Sequence, residues 1–120
     1  PDRYDKVNTN YEKIWDALAN KNLTFMCDCD DKSAYAYVVP VKPYEIHLCQ
    51  LFWKAPLTGT DSQGGVILHE MSHFYVVAST NDHFYGQPRC RDLAKNDPDS
   101  AIDNADSHEY FAENHPKLSM

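Results

Sequence analysis

The chain has 120 residues, of which 42% are hydrophobic and 24% charged, and a net charge of −7. This length suits one core and one domain, and the negative balance excludes phosphate-backbone binding as a main activity, so nucleic acid is not an expected partner. No apolar run approaches the roughly 18 residues needed to cross a membrane, and no basic stretch leads into an apolar one as in a secretion signal.

The opening Pro1-Asp2-Arg3-Tyr4 suits a processed product. Over residues 5–20, Val7, Tyr11, Ile14, Trp15 and Leu18 recur mostly at spacings of three and four, which predicts an amphipathic helix ended by Asn20-Lys21-Asn22. Residues 23–26, 34–39 and 46–49 are rich in β-branched and aromatic side chains, with turn-like segments at 30–33 and 40–43. They predict a small antiparallel sheet of about three strands. Residues 51–65 read as an irregular connection. Asp61 or Ser62 can cap a helix running through Val66-Ile67-Leu68 to about Val77. A loop follows over 78–85, and 86–95 forms a short helix at best. Asp97-Pro98 predicts the start of a last helix reaching about Asn114.

Cys27, Cys29, Cys49 and Cys90 lack the two close pairs of a structural zinc knuckle. An even count in a small domain suits two disulfides and an oxidising compartment. A bridge between Cys27 and Cys29 would close a very tight ring, so the preferred pairing is Cys29–Cys49 with Cys27–Cys90.

The sharpest signal is His69-Glu70-Met71-Ser72-His73. Two histidines at i and i+4 share a helix face and can reach one ion, with the glutamate beside them able to take a proton from a metal-bound water. The motif lies in the most apolar predicted helix, as suits a buried catalytic element. A catalytic zinc takes three protein ligands and an open position. The third ligand is not fixed by spacing: Asp82, His83, Asp106, His108 and Glu109 are all candidates.

The stretch Ser79-Thr80-Asn81-Asp82-His83-Phe84-Tyr85-Gly86 resembles the GTxDxxYG signature of the aspzincin metallopeptidases, the deuterolysin family. Further blocks resemble the same family: Phe52-Trp53-Lys54-Ala55-Pro56, Thr58-Gly59-Thr60-Asp61-Ser62, the His69–His73 motif, and Asn104-Ala105-Asp106-Ser107-His108-Glu109-Tyr110-Phe111. Together they look most like the peptidyl-Lys metalloendopeptidase branch, and the likeness runs from near Arg3 to near His115. The resemblance implies a zincin-like α+β fold in which a small antiparallel sheet accompanies the HExxH helix and a C-terminal helix. It implies one catalytic Zn²⁺ held by His69, His73 and Asp82, with Glu70 as general base and Tyr85 donating to the oxyanion. It also implies that Asp106 and Glu109, at i and i+3, line the pocket for a lysine following the scissile bond. Asp99, Asp103 and Glu113 read as a solvated acidic face.

Two departures stand out. Ser79 replaces the first glycine of the signature, and a further N-terminal helical segment usual in the family is absent from this chain. The resulting expectation is a single metallopeptidase domain over 1–120, secreted or extracellular, which cleaves peptide and protein substrates before lysine and does not act at a membrane. The rival expectations are a protease-type toxin or effector with one specific partner, and a non-catalytic zinc-binding protein.

Overall fold

The computed structural model describes residues 2–114. The N-terminal helix, α1 (Asp2–Asn20), is longer by three residues than the apolar pattern predicts. Its inward face is set by Asn10, Ile14 and Ala17, with Tyr11 packed at the margin. Trp15, which the pattern assigns to the buried stripe, is 71% exposed. The stripe is therefore rotated toward the side where polar Asn10 finds a buried partner: its Nδ2 donates to His108 Nε2 at 3.1 Å. Tyr11 completes the junction by donating its hydroxyl to the His108 carbonyl at 2.6 Å.

Three short strands follow: β1 (Thr24–Met26), β2 (Ala36–Tyr37) and β3 (Glu45–Leu48), arranged in the order β1-β3-β2. The sheet is mixed, which corrects the antiparallel expectation. β2 pairs antiparallel with β3, but β1 runs parallel to it, with Thr24 opposite Glu45. The stretch between β1 and β3 is long enough for the crossover that parallel pairing requires, and strands this short carry too little alternation to announce their direction.

One of the two expected disulfides forms. Cys29 and Cys49 are bridged with Cα atoms 4.7 Å apart, pinning the excursion after β1 to the end of β3. Cys27 and Cys90 are not bridged, contrary to the preferred pairing. Cys27 lies exposed beyond β1, whereas buried Cys90 receives a hydrogen bond from Asn104 Nδ2 at 3.3 Å and points toward the Phe84 carbonyl. For the bridge that does form, the sequence separation of 20 sets the expected effect. Replacing both Cys29 and Cys49 by serine should cost roughly 3 kcal/mol. A thermal melt should show a drop of roughly 10 °C or more; a drop under about 2 °C would mean that the bridge does not constrain the unfolded chain.

The connection after β3 contains a short helix, α2 (Gln50–Lys54), and leads to α3 (Gln63–His73), which carries the metal motif. Ser62 is the cap: its Oγ accepts from Gly65 N at 3.0 Å. Helix α3 ends at His73, earlier than Val77, and buried Phe74 turns the chain into a compact loop. Ile14, Ile46, Leu48, Phe52, Val66, Met71 and Phe74 form the core, so α1, the sheet and α3 share one apolar centre. Beyond it, 86–95 forms a full helix, α4 (Gln87–Asn96). The expected last helix is two pieces, α5 (Pro98–Ala101) and α6 (Ala105–Asn114). Asp97 caps the first of them by accepting from Ser100 N. Among the described residues, no helix is long and apolar enough to cross a membrane.

Candidate active site

Helix α3 brings His69 and His73 to the wall of a cleft of about 740 Å³, which is also lined by Glu70, Asp82, Tyr85, Asp106 and Glu109. Asp82 Oδ1 lies 3.2 Å from His69 Nε2 and 3.2 Å from His73 Nε2. The opposite nitrogen of each ring is engaged elsewhere. His73 Nδ1 donates to the Thr80 carbonyl at 2.9 Å, and His69 Nδ1 faces Asp106 Oδ1 at 2.6 Å. Those bonds keep a proton on Nδ1 of each ring, so that once Nε2 is deprotonated its lone pair faces the same point beside Asp82 in both histidines.

This donor set fits a zinc ion. Two imidazole nitrogens and one carboxylate oxygen lie within 4.8 Å of one another, and half-exposed Asp82 leaves the cleft side open, which suits a fourth ligand. Of the five candidates for a third ligand, Asp82 alone shares the Nε2 side of both histidines. His108 points away, its Nδ1 donating to the Asn104 carbonyl, and His83 Nε2 meets Asp103 at 2.9 Å. Asp106 and Glu109 lie on the Nδ1 side of His69.

Glu70 is buried beside the histidines, with Oε2 3.9 Å from His69 Nε2. Burial lifts its carboxyl to about 7, a value at which it can both take and return a proton near neutrality. Tyr85 stands at the mouth, its ring parallel to that of His69 with centroids 6.4 Å apart. Burial and the nearby Asp82 carboxylate push its phenol up to about 12, so it remains a donor at neutral pH.

The loop delivering Asp82 and Tyr85 is held by groups whose role the sequence does not announce. Asn104, fully buried, accepts from His83 N at 2.8 Å and Phe84 N at 3.2 Å while its Nδ2 donates to the Phe84 carbonyl. Asn81 bridges the start of α6 through Asp103 O and Ala105 N, and Ser72 hydrogen-bonds Thr80 at 2.7 Å. The turn entering this loop puts Ser79 at φ 54°, where the family signature has glycine. An L residue in the left-handed region is strained. Ser79→Gly should therefore stabilise the fold by on the order of 0.5–1 kcal/mol, part of the gain being lost to the freer unfolded chain. A melting temperature equal to or below that of the wild type would contradict this.

A comparison with known sequence families decides the lineage: the aspzincin model, described as lysine-specific metallo-endopeptidase, matches residues 1–113. The chain belongs to the aspzincin family. It is 56% identical over 114 residues to an extracellular protease of Aeromonas hydrophila, and 47% identical over 117 residues to a peptidyl-Lys metalloendopeptidase of Pleurotus ostreatus. These matches cover 95% and 98% of this chain, but 33% and 69% of the relatives. The chain thus spans about a third of the Aeromonas protein. Among solved structures, a zinc peptidase from Grifola frondosa superposes with a TM-score of 0.88 at 44% identity, covering 96% of this chain and 70% of that one. The zincin-like α+β class expected for an aspzincin is thus the observed one.

In this aspzincin, one face of α6 packs on α3, with Asp106, Glu109 and Tyr110 lining the cleft and Glu113 at the N-terminus of α3. Glu113 does not belong to a solvated face, as its spacing suggests. Its carboxylate accepts from Asp61 N and Ser62 N at 2.9 Å and from Ser62 Oγ at 3.1 Å, closing the N-terminus of α3 from a distant helix. That approach requires Gly65, where a Cβ would come within 1.8 Å of Glu113 Oε2. Tyr110 donates to Asp61 Oδ1 at 2.5 Å, which holds Asp61 in a left-handed conformation. Asp103 is likewise engaged, accepting from Asn81 Nδ2 and His83 Nε2. Asp99 does form an exposed pair, with Arg3 at 2.9 Å.

Proposed function

We propose that the chain is the catalytic domain of a secreted zinc endopeptidase that hydrolyses peptide bonds on the N-terminal side of lysine. The observation that carries this reading is the convergence of His69 Nε2, His73 Nε2 and Asp82 Oδ1 in a cleft whose adjoining wall is acidic. These three residues would hold one zinc ion, which when bound supplies a Lewis acid that polarises the scissile carbonyl and makes water nucleophilic near neutral pH.

The chain's own groups do the rest. Glu70 takes a proton from the attacking water and returns it to the leaving amine. Tyr85 at the mouth donates its hydroxyl to the developing oxyanion. Asp106 and Glu109 line the neighbouring part of the cleft and receive the ammonium of a lysine placed after the scissile bond, whose positive charge favours the ionised form of buried Glu109. Support comes from three relatives called peptidyl-Lys metalloendopeptidase, in Pleurotus ostreatus, Armillaria mellea and Grifola frondosa. Secretion is supported by the Aeromonas relative, called an extracellular protease, and by the Cys29–Cys49 bridge.

The test is mass spectrometry of peptides released from a denatured protein, with and without a chelator. New termini beginning with lysine should appear, and the chelator should abolish them. Chelator-insensitive cleavage would overturn the zinc reading, and cleavage indifferent to lysine would overturn the specificity.

A further inference from the structure

Between Asp82, which faces the two histidines, and Tyr85, at the mouth of the cleft, lie only His83 and Phe84. The peptide groups of those two residues therefore set where both functional side chains point. Three of their polar atoms meet one side chain. Asn104 Oδ1 accepts from His83 N at 2.8 Å and from Phe84 N at 3.2 Å, while its Nδ2 donates to the Phe84 carbonyl at 3.2 Å. The same Nδ2 faces Ser107 Oγ at 3.0 Å and Cys90 Sγ at 3.3 Å. An asparagine just ahead of a helix ordinarily spends its oxygen on that helix's first N–H groups. This one, just ahead of α6, turns it to the loop.

Asn104 is itself fixed. It is fully buried, its N donates to the Ala101 carbonyl at 3.2 Å, and its carbonyl accepts from His108 Nδ1 at 3.0 Å. His108 is held in turn by Asn10 of α1, so the loop hangs from a buried polar chain that reaches the N-terminal helix. Asp103 also bonds the loop, through Asn81 Nδ2 and His83 Nε2. The His83 and Asp103 side chains are 34% and 39% exposed, however, and water can replace such a contact. Water does not reach Asn104, so removing its amide would leave buried N–H groups unpaired.

We infer that Asn104 is the positioning residue for the loop side of the active site: through the peptide groups of His83 and Phe84 it presets Asp82 toward the metal position and Tyr85 toward the oxyanion. The inference rests on the reading of Asp82 as a zinc ligand and Tyr85 as the oxyanion donor. His69 and His73 are placed by the backbone bonds of α3 itself. Residues 82–86 belong to no helix or strand, so no ladder of backbone bonds does the same for Asp82 and Tyr85. One buried amide stands in for that ladder.

The experiment compares wild type with Asn104→Ala, Asn104→Asp and Asp82→Ala, and combines each Asn104 substitution with Asp82→Ala. Zinc affinity is measured by competition with chromophoric chelators, and folding by thermal melts of the metal-free proteins. At saturating zinc and well below the melting temperature, kcat and KM are measured on a lysine-containing peptide. Asn104→Ala should weaken zinc binding by about 10–100-fold. It should lower kcat by about 100-fold and leave KM within about threefold, because Asp106 and Glu109 stand on α6 and not on the loop. Asn104→Asp, which keeps an oxygen for both N–H groups, should lose about 3–10-fold on zinc affinity and on kcat. In the Asp82→Ala background, Asn104→Ala should change zinc affinity by less than about threefold, since its effect on the metal travels through Asp82. If Asn104→Ala does not fold, Asn104→Asp decides by the same readouts in both backgrounds. A lower melting temperature with wild-type zinc affinity and kcat would make Asn104 a purely structural residue and overturn the inference. An equal loss of zinc affinity with and without Asp82 would overturn it too. A wild-type protein that takes up no zinc would instead bring down the metal-centre reading itself.

Discussion

Replacing Glu70 by glutamine is expected to lower kcat by about 10⁴-fold while zinc content and melting temperature stay near those of the wild type. Glutamine has the same shape, so the buried side chain, 9% exposed, leaves no cavity. It cannot take a proton from water or return one to an amine. Positioned acid–base groups supply about 10²–10⁴-fold, and Glu70 serves both proton transfers, which places the loss at the upper end. Burial disfavours the charged carboxylate and lifts it to about 7, so removing that charge does not weaken the fold. Nor does it remove a ligand, because the convergent atoms belong to His69, His73 and Asp82. The check is a peptide assay run beside metal analysis of the same sample. A variant that turns over near the wild-type rate, or that is inactive because it has lost its zinc, would deny Glu70 the role of base.

The parts of the site legible in the sequence are those set by local spacing. His69, Glu70 and His73 need only one helical turn, and Ser62 announces its cap three residues before Gly65. Spacing leaves Asp82 one of five candidates, because the loop geometry that brings it beside the two histidines depends on Asn104 and Thr80, distant or unremarkable in sequence. Glu113 shows the limit most clearly. Its spacing from Glu109 marks a helix face, yet it closes the N-terminus of α3 from 51 residues away. No period in either segment encodes that contact; only Gly65, a helical glycine with no evident reason to be one, hints at it. Trp15 misled for a related reason, since a buried hydrogen bond from Asn10 to His108 outweighs apolar spacing in rotating α1. The parallel pairing of β1 escaped because strands of three, two and four residues hold almost no pattern.

Removing the metal should leave a protein that loses stability as pH rises from about 5.5 to 8, and zinc should counter that loss most strongly at pH 8. Burial alone would lower His69, but Asp106, Asp82 and Glu109 outweigh it and hold the ring well above its ordinary value of 6.5. His73 is raised too, burial being overcome by Asp82 and the Thr80 carbonyl. A histidine raised on folding contributes stability that is fully present below 6.5 and disappears as pH climbs through its folded pKa. The buried carboxylates act in the same direction. Burial lifts Glu70 to about 7 and Glu109 to about 8. Above 4.5 the unfolded chain releases those protons while the folded one retains them, so stability falls across that interval. Asp82, held well below its ordinary 3.8 by the two histidines despite burial, changes only in more acid solution. His108 opposes the trend, since burial lowers it and its contribution grows with pH. Four groups therefore outweigh one. Zinc needs His69 and His73 unprotonated at Nε2, so its binding tightens as pH rises. At a free concentration of about 100 times Kd it adds about 2.7 kcal/mol. The gap between zinc-loaded and chelated melting temperatures should widen from pH 5.5 to 8. In Asp82→Ala it should nearly vanish at the same zinc concentration, because losing one ligand of three costs roughly 3 kcal/mol or more of binding. A chelated protein that gains stability with pH, or an Asp82→Ala variant with the full zinc shift, would show that these side chains do not share one metal-binding point.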